Sequence, residues 1–166
     1  MSGRVFNFDD QKRIGDIGEA DFLRVYESLA PKQSTTDFKV DFVLGDNRSV
    51  ELKTDSYDMG RTPNFFMEQF TVSGNKTSLG GPWWSKEHKV DFFVYYFINN
   101  KVFFWFNPIT LVDFLNKYIE ENMLKPITIP NRDRRGGYYE AIGFKIPRES
   151  VVSVLLKKHD KAVPRN

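Results

Sequence analysis

Cysteine is absent from the 166 residues, which excludes disulfides and thiolate metal sites and fits a reducing, cytoplasmic setting. Long apolar runs are missing too. The N-terminus carries no apolar h-region, and the longest run, Phe92 to Ile98, is too short to cross a bilayer, so a soluble protein with no membrane partner is expected. An excess of one charge is also lacking: 24 Lys and Arg against 22 Asp and Glu leave a formal net charge of +2. That bias is too small to signal nucleic-acid binding by itself, and the distribution of charge says more than its sum. There is no internal repeat, low-complexity segment or second domain. The length suits a single domain over 1–166, with room for a real core.

What is present is an acid in one apolar run followed, after a turn, by Glu51-Leu52-Lys53 in the next. Phe38 to Leu44 alternates, with Phe38, Val40, Phe42 and Leu44 on one side and Lys39, Asp41 and Val43 on the other, as a strand requires. Arg48 to Lys53 alternates likewise, so Glu51 and Lys53 point the same way. Gly45-Asp46-Asn47 tolerates a tight turn, and a three-residue hairpin loop pairs Leu44 with Arg48 and hence Asp41 with Glu51. Opposed residues in such a pair lie roughly 4.5 to 5.5 Å apart. Two carboxylates held there repel unless a cation or a proton sits between them. The cation that suits them is Mg²⁺ or Mn²⁺, because the motif offers neither imidazole nor thiolate. Taken alone, D-x9-E-x-K also describes a solvated strand face with one salt bridge.

The segment before this hairpin reads as a helix from Gln11 to Leu29, capped by Asp9 or Asp10, with Ile14, Ile17, Phe22, Val25, Tyr26 and Leu29 at helical spacing. A helical wheel sets Glu19 beside Gly15, Phe22, Leu23 and Tyr26, on the side that packs against the sheet. A carboxylate there needs a partner or a metal: Glu19 either finds one at the rim of the core or belongs to the site. Gly15 and Gly18 would let the helix start approach closely.

These residues resemble the PD-(D/E)xK nuclease superfamily, the fold shared by many restriction enzymes, Holliday junction resolvases and phage nucleases. In that family a glutamate on the first helix, an aspartate on the next strand and an acid-x-lysine on the third element form the active site. Glu19, Asp41, Glu51 and Lys53 match in order and approximate spacing, and the resemblance covers Gly15 to Phe106. Val40 stands where the motif's proline usually does, a position often substituted in the family. A second similarity runs through Thr62-Pro63-Asn64 to Glu68-Gln69, Gly80-Gly81 and the aromatic strand at 90–96. It looks like a pattern of phage and homing-type members, with Pro63 in place of a glycine. By this resemblance Glu68 and Gln69 are candidates for orienting metal-bound water or a metal ligand; the alternative is exposed strand residues.

The resemblance implies an α/β, restriction-endonuclease-like fold with a mixed central sheet flanked by helices, and Mg²⁺-dependent hydrolysis of DNA phosphodiesters, with Mn²⁺ substituting. Asp41, Glu51 and Glu19 would hold the metal. Lys53 would orient the attacking water and offset charge on the phosphorane-like transition state. A phage-type or homing-type endonuclease is the first expectation and a junction resolvase the second; the latter would act as a homodimer with two sites on opposed strands. A DNA-binding module that keeps the fold without cleavage is the third, and intact Glu51 and Lys53 argue against it.

Bases gather at Lys12 and Arg13, at Arg132, Arg134 and Arg135 beside Gly136 and Gly137, and at Lys157, Lys158, Lys161 and Arg165. The first two groups are the candidate DNA contacts, with a solvated loop as the alternative for the arginines; the last reads as a solvated tail. The remainder reads as scaffold: an aromatic hairpin at 90–98 and 101–106, a helix at 108–123, strands at 126–129 and 139–146, an ambiguous stretch at 147–156, and a long loop at 75–89 in which Trp83 and Trp84 pack.

Overall fold

The two aromatic runs pair. Phe92–Phe97 and Val102–Phe106 are antiparallel strands, registered from Phe93 with Phe106 to Phe97 with Val102, and nearly every residue in them is buried. Both faces of the pair are therefore covered, as their continuous apolarity requires. One face carries Val94, Tyr96, Phe103 and Trp105; the other carries Phe93, Tyr95, Phe97, Phe104 and Phe106.

The computed structural model describes residues 6–34, 40–132 and 137–160. In chain order its strands are β1 (Phe6–Asn7), β2 (Lys32–Gln33), β3 (Phe42–Val43), β4 (Ser49–Asp55), β5 (Asn64–Ser73), β6 (Lys76–Leu79), β7 (Phe92–Phe97), β8 (Val102–Phe106), β9 (Ile127–Arg132), β10 (Tyr138–Pro147) and β11 (Leu155–His159). The helices are α1 (Phe8–Val25), α2 (Gly81–Glu87) and α3 (Pro108–Glu121), with 3-10 turns at Glu27–Leu29 and Arg148–Val154. A six-stranded sheet has the order β11-β8-β7-β4-β3-β2, and a five-stranded sheet the order β1-β9-β10-β5-β6. The larger sheet is mixed, since β4 runs parallel to β7 and antiparallel to β3.

Helix α1 covers one face of the larger sheet. Phe22 stacks on Phe42 with ring centroids 4.6 Å apart, and the Tyr26 hydroxyl accepts from Trp105 Nε1 at 2.9 Å. Gly18 sets the spacing, because a Cβ there would overlap the Thr54 side chain of β4; Gly15 has open space around its Cβ position. The opposite face packs on the second sheet, through Phe65 and Met67 of β5 and Phe144 and Ile146 of β10, with Leu111 and Leu115 of α3 closing the cluster. The protein is thus mixed α/β, but the cover on this side is a sheet as well as helices. The expectation of one central sheet flanked by helices missed it because β5 and β10, ten residues each, pair across a long stretch of intervening sequence.

Smaller differences have local causes. Helix α1 begins at Phe8, so Asp9 and Asp10 fall inside its first turn and not at the position ahead of it. The expected strand at 38–44 is described only from Val40, and its paired part is Phe42–Val43. The stretch 75–89 is no loop: it holds β6 and α2, the latter entered through Gly80 with Pro82 in its first turn. Trp83 is buried and donates Nε1 to Asn116 Oδ1 at 3.0 Å, the packing role expected of it. Lys157 and Lys158 lie in β11 and not in a tail, with Lys157 Nζ 5.3 Å from the centroid of the Tyr26 ring; Lys161 and Arg165 lie outside the described residues. Helix α3 follows its expected start, where Asn107 Oδ1 accepts from Ile109 N at 2.9 Å. Among the described residues no helix is long and apolar enough to cross a membrane.

Candidate active site

The hairpin forms in the expected register. Phe42 pairs with Val50 and Val43 with Ser49, and Leu44 N donates to the Arg48 carbonyl at 2.8 Å, which continues the count to Asp41 opposite Glu51. Asp41 is fixed by its own side chain, whose Oδ2 accepts from Leu52 N at 2.7 Å. Along β4, Glu51 aligns with Phe93, Lys53 with Tyr95 and Asp55 with Phe97. These are the residues that face the second sheet, so the layer between the sheets is apolar over β7 and β8 and turns polar at β4.

Burial and like charge dominate the electrostatics. Glu51 is pushed up from the ordinary carboxylate range, first by burial and then by the charge of Asp41, with Glu19 adding to it. Asp41 is also raised by burial, opposed by its hydrogen bonds with Glu51 and Leu52 N. Glu51 Oε2 is buried with no hydrogen-bond partner. A buried carboxylate oxygen left so is held against a desolvation penalty unless a proton or a cation sits on it.

Glu19 lies within Coulomb range of this pair and is raised by burial and then by Asp41, while its Oε2 accepts from Gln33 Nε2 at 3.2 Å. The helix acid therefore has a partner in β2, which answers the question of how it tolerates that face.

Glu68 is held by main chain crowding. A Cβ at Gly80 would overlap its carboxylate, one at Gly81 its carbonyl oxygen, and one at Gly143 the Met67 carbonyl and the Glu68 Cα. The Gly80-Gly81 pair thus does for Glu68 what Gly18 does for α1: it removes atoms so that two elements can touch. Gly81 also needs its freedom for a φ of +48°. Glu68 is raised by burial, an effect opposed by the charge of Lys53 and by a hydrogen bond with Thr71. Gln69 plays a different part. The register passes from Gly143 opposite Glu68 to Ile142 opposite Phe70, leaving Gln69 as the extra residue of a β-bulge, and its carbonyl accepts from Gly80 N at 2.8 Å. Its side chain lines neither cavity next to Lys53.

Two cavities meet at Lys53, Phe66 and Glu68. One, of about 250 Å³, adds Glu51, Thr71, Gly80 and Trp84; the other, of about 150 Å³, adds Asp55, Tyr57 and Asn131. Thr71, Gln33 and Asp55 are the site neighbours that the sequence reading missed. Asp55 had a signal, because the alternation of Glu51 and Lys53 continues to it; the contacts of Thr71 and Gln33 depend on tertiary pairing and had none.

The basic candidates divide. Arg132 is exposed at the end of β9, where it pairs with Asn7 of β1 just before α1 begins. Lys12 is tied to Asp16 at 2.9 Å and Arg13 is exposed. Arg134 and Arg135 lie outside the described residues.

Among the described residues no three His, Cys, Asp or Glu side chains form a ready metal cluster. The Asp41 and Glu51 pair nevertheless fits Mg²⁺, which is commonly held by one or two carboxylates and completes its shell with water and substrate phosphate. The unpartnered Glu51 Oε2 is the donor such an ion would use. No family model, curated protein or solved structure matches the chain.

Proposed function

We propose that the chain is a Mg²⁺-dependent deoxyribonuclease of the PD-(D/E)xK kind, a small phage-type or homing-type endonuclease that hydrolyses DNA phosphodiesters. The observation that carries this reading is Glu51 Oε2, buried and unpartnered beside Asp41, on the strand face that also carries Lys53. A solvated strand face would leave that oxygen to water.

When bound, Mg²⁺ held by Asp41 and Glu51, with Glu19 adding negative charge, would supply a grip on a nonbridging phosphate oxygen and lower the pKa of bound water. The chain's own residues do the rest. Leu52 N fixes Asp41, and the helix and β2 fix Glu19. Lys53 directs its ammonium along the same face, where it orients the attacking water and offsets the charge that builds on phosphate oxygens. Glu68, packed against the glycines, sets the electrostatic environment of Lys53. Arg132, Lys12 and Arg13 hold backbone phosphates on the side of the smaller cavity.

The test is incubation with linear duplex, branched and single-stranded DNA in Mg²⁺ or EDTA. Cleavage that requires the ion supports the proposal, and cleavage confined to branched DNA would favour a junction resolvase. Binding without cleavage of any substrate would leave a DNA-binding module.

A further inference from the structure

The cavity of about 150 Å³ next to the carboxylate site has a different chemistry from its neighbour. It contains none of the metal-site acids. Its walls combine flat aromatic surface, from Phe66, Tyr57 and Tyr139, with amide and carboxylate groups from Asn131, Gln11 and Asp55. That mixture, aromatic faces and convergent polar atoms in nearly equal measure, suits a small ligand that offers both a flat face and a polar edge.

The polar groups are built in. Asp55 and Asn131 are both almost wholly buried. Asp55 Oδ2 accepts from the Tyr95 hydroxyl at 2.5 Å and Oδ1 from Tyr57 N at 2.7 Å, while that Tyr95 oxygen accepts from Phe66 N at 3.1 Å. Each carboxyl oxygen carries two lone pairs, and one hydrogen bond to each leaves acceptor capacity. The Asn131 amide is fixed by donating Nδ2 to the Ile129 carbonyl at 3.1 Å, a bond that uses one of its hydrogens. Tyr57 lines the same cavity with its backbone tied to Asp55 and is 51% exposed.

We infer that this cavity receives a nucleobase, that of a nucleotide adjoining the phosphate bound at Lys53. The inference rests on the phosphodiesterase reading of the neighbouring cavity for its location, and on Lys53 and Glu68, which line both. A base offers a π-face to the tyrosines and edge amino or imino groups to Asp55 and Asn131, the combination by which unstacked bases are read. A paired base inside a duplex cannot enter so recessed a site, so the substrate presents an unpaired or extruded nucleotide there.

The experiment titrates the four deoxynucleoside 5′-monophosphates, and deoxyribose 5-phosphate as the base-free control, against the wild type, Tyr57→Ala and Asp41→Ala. It then measures Mg²⁺-dependent cleavage of single-stranded oligonucleotides in which one abasic residue is moved along the strand. Tyr57 is on the surface, so its removal leaves the fold intact. At least one monophosphate is expected to bind the wild type and Asp41→Ala alike, about tenfold more weakly to Tyr57→Ala, and more tightly than the base-free control. An abasic residue beside the cleaved bond should slow cleavage by a similar factor. Equal binding of deoxyribose 5-phosphate and the nucleotides, or no effect of Tyr57→Ala, overturns the pocket. Base-dependent binding without cleavage of any DNA would refute the hydrolase and keep the pocket; metal-dependent cleavage indifferent to the abasic position would do the reverse.

Discussion

Asp41 and Glu51 face each other across the β3 and β4 hairpin, and each alters the protonation of the other. The pair stores a pH dependence. Glu51 is raised from 4.5 to about 10 by burial and then by Asp41, so the folded state binds protons that the unfolded chain releases. The stability it contributes is full below the ordinary carboxylate value and is lost as pH rises toward the folded value. The melting temperature of the metal-free protein should therefore fall between about pH 5 and about pH 9. Mg²⁺ should reduce the fall, and Glu51→Gln should flatten it. A wild-type profile that does not change over this range, with or without Mg²⁺, would show that the two carboxyls are not coupled as described.

The glycines make a second, purely structural prediction. Gly143→Ala must push its new Cβ against the Met67 carbonyl and Glu68 Cα, so it should destabilise by about 1–3 kcal/mol, the range for overpacking. Gly15→Ala meets nothing within 4 Å and lies within α1, where replacing glycine should stabilise by about 0.5–1 kcal/mol. Urea denaturation distinguishes the two; effects of the same sign would mean that the crowding around Glu68 is not as described.

Lys53→Ala should keep divalent-ion affinity and lose on the order of 10²-fold in cleavage rate, as expected when a partner for transition-state charge is removed. Mn²⁺ calorimetry and single-turnover kinetics read the two halves separately. Lost metal binding with unchanged chemistry would make the lysine structural.

Changing Arg132, Arg134 and Arg135 together to alanine should weaken DNA binding across sequences. Each phosphate contact contributes about 0.9 to the salt slope of log K, so the slope should flatten by up to about 2.7. Cleavage at saturating enzyme should stay near wild type. Identical slopes for the two proteins would show that these arginines are merely solvated.

Much of the site was legible in the sequence because it is local. The turn at 45–47 fixes the hairpin, and period-two alternation then puts Asp41, Glu51 and Lys53 on one face without reference to the remainder of the chain. The aromatic hairpin and the helix begun by Asn107 and Pro108 were legible for the same reason. What escaped depends on distant pairing. The long strands β5 and β10 make the second sheet, their bulge falls at Gln69, which the resemblance had made a candidate beside Glu68, and the pairing of Ser78 with Thr71 turns an apparent loop into β6. The contact of the Gly80-Gly81 pair with Glu68, which leaves steric room for its carboxylate, is tertiary as well.

The most direct measurement is single-turnover cleavage of DNA in Mg²⁺ by the purified wild type, Asp41→Ala and Glu51→Ala, with folding checked by circular dichroism and binding by titration in EDTA. Both variants should fold, keep most of their DNA affinity and lose cleavage, because each removes one carboxylate from the ion while relieving repulsion on the other. Wild-type cleavage rates in either variant, or no Mg²⁺-dependent cleavage by the wild type, would contradict the account.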